Sequence, residues 1–310
     1  MRAGMALRRN ILIFHLGALG DFIITWPLAL AMARLYPQSR VFYVTHSQKG
    51  ALAEKVLRVE SLEIEAGWHA LFTEHGSLPE PATRTLAGAH TVLSFLANEQ
   101  STWANEVRRV SPDVNLLTLS TAAPDDFSGH ITEFLLTQLS KSLPAQTGMA
   151  QMLKSITERG LLASRAAGDY LLIHPGSGSP AKNWPAERFC KLAKQLNESG
   201  RPVRVILGDV ELERWPKETI SAFESVAQIV RPASLLELYS QIASASALIG
   251  NDSGPAHLAG IVGIPTVTLF ASSKTTRWRP LGPRVQALEG PLDQISVSAV
   301  MTAIEKATQS

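Results

Sequence analysis

The sequence predicts an α/β chain of two Rossmann-like, doubly wound parallel-sheet domains facing a central cleft. Three observations carry that expectation. The 310 residues exceed what one ordinary core encloses and suit two domains of roughly 150 residues each. Short apolar, β-rich runs alternate with longer amphipathic ones, and this happens twice along the chain. From about 142 to 166 the strand signals vanish, so the boundary is expected there, with an N-terminal domain over 1–160 and a C-terminal domain over 161–310.

In the first series, strands are expected at 11–15 (ILIFH), 41–45 (VFYVT), 91–95 (TVLSF) and 114–118 (VNLLT), with helices at 21–35, 48–58, 101–108 and 128–140. The strand runs are apolar without alternation, which implies cover on both faces and hence a parallel sheet. Arg8 and Arg9 ahead of ILIFHLGALGDFIITWPLALAMA give this stretch the outline of a signal peptide or a membrane span. His15, Asp21, Pro27 and two glycines interrupt it. An ionisable side chain near a bilayer centre costs about 2.5 kcal/mol or more, so a buried strand, turn and helix is the expectation.

The second series restarts with strands at 170–174 (YLLIH), 203–207 (VRVIL), 226–230 (VAQIV), 246–250 (SALIG) and 265–270 (PTVTLF). Helices are expected at 186–199, 211–222, 234–243 and 255–262, opening on Pro or Asp/Ser signals, and Gly200 stops the first. A last helix near 296–307 carries no motif and is read as packing, with the option of folding back on the N-terminal domain. Ligands of doubly wound sheets bind beyond the C-terminal ends of the strands, so the loops there carry the functional search.

Composition narrows the partners. With 45% hydrophobic and 18% charged residues the chain fills two cores, and 29 basic against 27 acidic residues leave a formal charge of +2, too little for a general polyanion binder. Nucleic acid is therefore not an expected partner. The single cysteine, Cys190, forms no internal disulfide, and no Cys/His cluster has metal-site spacing, so no metal is expected and a reducing cytoplasm is the expected home.

Three loops carry candidate chemistry. In HLGALGDFIITWP, Gly17 and Gly20 let the chain turn tightly before Asp21, which reads either as a helix N-cap or as a carboxylate able to take a proton from a hydroxyl. In HPGSGSPAKNWPAERF, Gly176, Gly178 and Ala181 trace a G-x-G-x-x-A, but Pro180 and Pro185 deny the uninterrupted helix of a dinucleotide turn. Ser177, Gly178 and Ser179 read better as a loop around phosphate oxygens, with Lys182 as a point charge beside it. In ALIGNDSGPAHLAGIVGIPTVTLF, a strand runs into Asn251, Asp252, Ser253 and Gly254, and Pro255 opens a helix whose N-terminus favours an anion. Asp252 or Ser253 also reads as a plain cap, and His257 as either a ligand contact or a core histidine. Glu211 and Glu213 follow a strand at a place suited to a ribose hydroxyl, or simply open a solvated helix.

Taken in order, G-x-x-G-D, H-P-G-S-x-x-x-x-K-x-W-P and N-D-S-G-P-x-H-L-A closely resemble glycosyltransferase family 9, the ADP-heptose:lipopolysaccharide heptosyltransferases, over about residues 11 to 282. The resemblance implies the GT-B arrangement and inversion at the anomeric carbon with no obligatory metal or cofactor. The acceptor goes to the N-terminal domain and an ADP-sugar donor to the C-terminal one. Carried onto this sequence, it makes Asp21 the general base, with His15 and Gly20 on the acceptor side. Lys182 falls on the donor diphosphate, Asp252 on the donor sugar, Ser253 and Gly254 on the phosphates, and Glu211 near the nucleoside.

The chain departs from the family pattern at His15, where lysine or arginine is usual, and in FASSKTTRWRP, where F-G-P-T-x-P is common. Alternatives with the same fold are a UDP- or GDP-sugar donor and a catalytically silent nucleotide-binding protein. A lipopolysaccharide acceptor is polyanionic, so Arg8, Arg108 and Arg109 are candidates for docking at the cytoplasmic face of the inner membrane, a solvated surface being the alternative.

Overall fold

The structure, a computed structural model, describes residues 10–139, 145–162, 168–271 and 275–309. The described chain forms two compact units, one holding the residues up to Phe127 with Ile131–Met152, the other Ser128–His130 with the residues from Leu153 onward.

The first unit is built on five parallel strands: β1 (Asn10–Phe14), β2 (Arg40–Thr45), β3 (Glu60–Glu63), β4 (Ala89–Ser94) and β5 (Asn115–Thr118), ordered β3-β2-β1-β4-β5. Its helices are α1 (Leu19–Ile24), α2 (Trp26–Leu35), α3 (Ser47–Leu57), α4 (Glu80–Ala87), α5 (Thr102–Val110), α6 (Ile131–Leu139) and α7 (Ala145–Arg159), the last running across the division between the units. The continuous apolar run of β1 is explained by burial on both faces: Ile11, Leu12, Ile13 and Phe14 are fully enclosed. Phe14 meets Trp68 and Trp103 edge-on at 5.4 and 5.0 Å.

The helix expected over 21–35 is two helices, broken at Thr25. Pro27, in the first turn of α2, has no N–H to give back to the preceding turn. The Thr25 hydroxyl takes over there, bonding Phe22 O at 2.7 Å and the Tyr43 hydroxyl at 2.8 Å.

The second unit carries six parallel strands: β6 (Leu171–His174), β7 (Val203–Ile206), β8 (Gln228–Val230), β9 (Ala247–Asn251), β10 (Thr266–Phe270) and β11 (Val285–Glu289), ordered β11-β10-β9-β6-β7-β8. Around them lie α8 (Ala186–Glu198), α9 (Asp209–Arg214), α10 (Lys217–Glu224), α11 (Leu235–Ser244), α12 (Gly254–Val262), α13 (Thr275–Trp278) and α14 (Val297–Gln309). Phe189, Leu192 and Leu196 of α8 share one core cluster with Val300, Ile304 and Ala307 of α14. The last helix therefore packs into the core of the second unit. It closes the second core, where each fully buried Val or Ile contributes about 1.5–3 kcal/mol.

Both sheets reverse their order at one place, between β1 and β4 in the first and between β6 and β9 in the second. Such switch points leave a crevice beyond the strand C-termini. The candidate loops all leave these strand ends.

Candidate functional site

In the second unit, β6 and β9 are neighbours in register, with His174 opposite Gly250, so the loops that follow them leave the sheet side by side. Asn251, fully buried at the end of β9, ties them together. Its Nδ2 donates to Pro175 O at 2.7 Å and its Oδ1 accepts the Trp184 N–H at 2.9 Å, so one side chain holds both ends of the loop over 175–184. Trp184 is itself fixed, its indole N–H donating to Ile295 O at 3.0 Å. Between these anchors Pro180 starts a short 3-10 turn that ends on Lys182.

Lys182 Nζ lies 2.8 Å from Asp252 Oδ2, and His257 Nε2 lies 3.7 Å from Asp252 Oδ1. Burial works against the Asp252 carboxylate, but the contacts from His257 and Lys182 outweigh it and hold its pKa below the usual aspartate range. His257, expected to face either ligand or core, does neither alone: it is buried against the carboxylate. Ser253 caps α12 in position but not through its hydroxyl, which lies 3.2 Å from His174 Nδ1. His174 is buried, and that burial pushes its pKa down to about 4, so the neutral ring orients Ser253.

At the start of α12 the leading N–H groups have no carbonyl ahead of them, and Pro255 has no N–H at all, which leaves those of Gly254 and Ala256 for a ligand. The His257 N–H is already bonded to Ser253 O at 3.1 Å.

Other residues of the expected donor set take more internal roles. Ser177 Oγ lies 2.7 Å from both Ser179 O and Asn183 Oδ1, so its one proton is spent inside the loop. What the loop turns outward is Gly178 and the Pro180–Lys182 turn, while Ser179 is half-buried. Gly178 is exposed, and a Cβ there would touch nothing, whereas at Gly176 it would overlap the Glu211 carboxyl. Glu211 is buried in α9, with Oε2 accepting the Gly208 N–H at 2.9 Å. Burial raises its pKa, and the Gly208 N–H opposes that. The side chain that was expected near a nucleoside is thus a brace between the β6 and β7 loops, and Glu213 is exposed.

In the first unit, Asp21 sits half-buried in the first turn of α1. It is not the N-cap; Ala18 holds that position, without a side-chain bond. Gly17 is needed by space rather than by dihedral, since a Cβ there would come 3.0 Å from His15 Cε1. Gly20 makes no turn: it lies inside α1.

His15 is only 2% exposed, enclosed by Phe22 and Phe95 at ring distances of 5.5 and 5.3 Å. Burial, with a smaller push from Lys49, takes its pKa down to about 3. His15 is therefore a neutral wall of the turn. The residue that sequence reasoning missed is Lys49, third in α3, whose Nζ donates to Gly17 O at 2.6 Å and Leu16 O at 3.2 Å. Burial lowers the pKa of its ammonium while the charge of Asp21 raises it.

Arg109 bonds Glu106 Oε2 from Nε at 2.8 Å and Gly76 O at 3.0 Å, and Arg108 bonds Glu99 O at 2.9 Å, so both are tied into their own surface. Arg8 lies outside the described residues. Among the described residues, no group of three or more His, Cys, Asp or Glu could hold a metal ion, and no helix is long and apolar enough to cross a membrane.

Two doubly wound parallel sheets, each reversing its strand order at one switch point, define a two-unit α/β protein of the Rossmann-like class. The model of glycosyltransferase family 9 (heptosyltransferase) matches residues 100–306, and the chain belongs to that family. It is 31% identical over 112 residues to lipopolysaccharide heptosyltransferase 1 of Campylobacter coli, covering 34% of this chain and 33% of the relative. Lipopolysaccharide heptosyltransferase 2 of Salmonella typhimurium is 29% identical over 159 residues, 48% of this chain and 45% of the relative. The matched part thus spans less than half the length of these two relatives. A putative glycosyltransferase of Haemophilus influenzae is 22% identical over 306 residues, 88% of this chain and 86% of the relative.

Among solved structures, a family 9 glycosyl transferase from Veillonella parvula superposes with a TM-score of 0.69 at 19% identity, covering 99% of both chains. The E. coli ADP-heptose lps heptosyltransferase II does so with a TM-score of 0.70 at 15% identity, covering 97% of this chain and 98% of the other. The fold is that of the GT-B heptosyltransferases.

Proposed function

We propose that the chain is an inverting glycosyltransferase that moves a heptose or related sugar from an ADP-sugar to a lipopolysaccharide core or similar glycan. The observation that carries this reading is the cluster of Lys182, Asp252 and the α12 N-terminus at the β6/β9 switch point of a family 9 chain. In this reading the acceptor oxygen attacks the anomeric carbon from the face opposite the diphosphate, and its proton passes to the carboxylate of Asp21. The bond from that carbon to the phosphate oxygen breaks, and its electron pair leaves with ADP. Negative charge then grows on the β-phosphate, where Lys182 and the amides of Gly254 and Ala256 stabilise it more in the transition state than before it.

Lys182 begins this cycle on Asp252. A diphosphate carries more charge than one carboxylate, so the donor draws the ammonium across, and Asp252 becomes an acceptor for sugar hydroxyls. The proposed place of action is the cytoplasm, with the glycan acceptor presented at the inner membrane face. No metal takes part in this reading.

Isothermal titration with ADP, UDP and GDP tests it. ADP is expected to bind tightest, and a clear preference for UDP or GDP defeats the heptose donor. Lys182→Ala is expected to weaken ADP; unaltered affinity removes the lysine from the donor site.

A further inference from the structure

Resting on the assignment of Asp21 as the base, we propose that Lys49 is a positioning residue of the transfer reaction, pinning the Gly17 turn and fixing a positive charge beside the Asp21 carboxylate. The geometry begins in the sheet. β1 and β2 are parallel neighbours with Phe14 opposite Val44, and the His15 N–H continues the ladder to Val44 O at 3.2 Å. The segments that follow, 15–18 and 46–49, therefore leave one sheet edge side by side. α3 is drawn close to β3 at Gly50, where a Cβ would fall 2.6 Å from Ser61 Oγ. That approach fixes the helix start, and with it the stem of Lys49.

The ammonium then reaches the carbonyls of Leu16 and Gly17, which belong to the turn leading into α1 and Asp21. A half-buried ammonium is costly to desolvate, and two carbonyls with a neighbouring carboxylate offset part of that cost. His15, the other titratable group at this turn, does not supply the charge, because its burial keeps it neutral. A carboxylate beside a cation stays ionised to lower pH. Lys49 thereby keeps the base ready, and through the Gly17 turn it fixes the direction of the helix that bears it.

The test is the pH–rate profile of transfer in the full chain, with Lys49→Met, Lys49→Arg and Asp21→Asn beside the parent. Lys49→Met is expected to lower kcat about tenfold, as a misaligned reacting group does. The acid limb of its profile is expected to move to higher pH, with the KM for donor unchanged and the limb restored in Lys49→Arg. Asp21→Asn decides the underlying reading separately: intact transfer in that variant removes the base assignment itself. If Asp21→Asn is inactive while Lys49→Met keeps both kcat and the acid limb of the parent, the role of Lys49 is overturned and that of Asp21 stands. Where Lys49→Met fails to fold, Lys49→Gln, which keeps donors for the two carbonyls but no charge, is read instead. An unshifted limb in it overturns the proposal equally.

Discussion

The switch-point end of the second unit and the β1 end of the first handle charge in different ways. In the second, the described side chains around Asp252 are paired with one another: Lys182 and His257 on the carboxylate, His174 on Ser253, Asn251 across the loop. In the proposed function, the parts that meet the donor are held in place by these contacts beforehand, and the donor enters by exchanging partners. In the first, a single acid stands in a short helix, and the cation that steadies its turn comes from a neighbouring helix with no motif of its own. In the proposed reaction, binding chemistry is thus a network, whereas proton transfer hangs on one carboxylate and its support.

That contrast is broken most directly at Asp21. Asp21→Ala is expected to cut turnover about 10²-fold or more, the usual contribution of a positioned base, while leaving ADP affinity unchanged in titration. If ADP affinity fell with turnover, the separation of roles would fail. If turnover survived with the protein folded, the proton would have another acceptor.

The same contrast explains what was legible in the sequence. The cluster in the second unit was foreshadowed because its members lie within the motifs: Asn251 and Asp252 stand together, and Lys182 is spaced from His174 by a loop whose prolines announce its shape. Even so, the motif gave residue types and not directions. Ser177 turns inward, and Glu211 braces Gly176, for reasons that lie in the packing of β7 against β6. Lys49 was invisible, since THSQKG reads as an ordinary helix start and only the β1–β2 register carries it to Gly17.

In the fold, the buried strands were plain from their apolar runs, while β3 (ESLE) and β11 (VQALE) were missed. Both are edge strands and part-exposed, and β3 has little apolar content to betray it, while β11 mixes its apolar residues with Gln286 and Glu289. The helix at α7 lay in the stretch where strand signals had lapsed, because a mixed-polarity helix carries none.

A sharper probe of the network is Asn251→Ala. The substitution strands the buried Trp184 N–H and Pro175 carbonyl, each at a cost of about 1–3 kcal/mol. The expected result is a melting transition lowered by about 4 °C or more, at about 2–4 °C per kcal/mol for a unit of this size, with ADP binding weakened because the loop over 175–184 loses both anchors. A variant that melts as the parent does while binding ADP normally would mean that the loop holds itself, and that the network is less connected than its geometry.

The smallest expected effect is on the Lys182–Asp252 pair. The lysine side chain is 53% exposed, so solvent screens the interaction, and a stability contribution under about 1 kcal/mol is expected of such a pair. Its pH dependence has a definite sign. The folded-state pKa of Asp252 is depressed, so the folded protein binds fewer protons at this group than the unfolded chain. The stabilisation is then complete above the ordinary aspartate pKa, about 4, and is lost as pH falls through the lower folded value. Melting curves of the parent and Asp252→Asn should differ slightly at pH 7 and converge toward pH 3. A gap that widened on acidification would mean that the carboxyl is stabilised in its protonated form, and the ion pair would lose its place as the resting partner that the donor displaces.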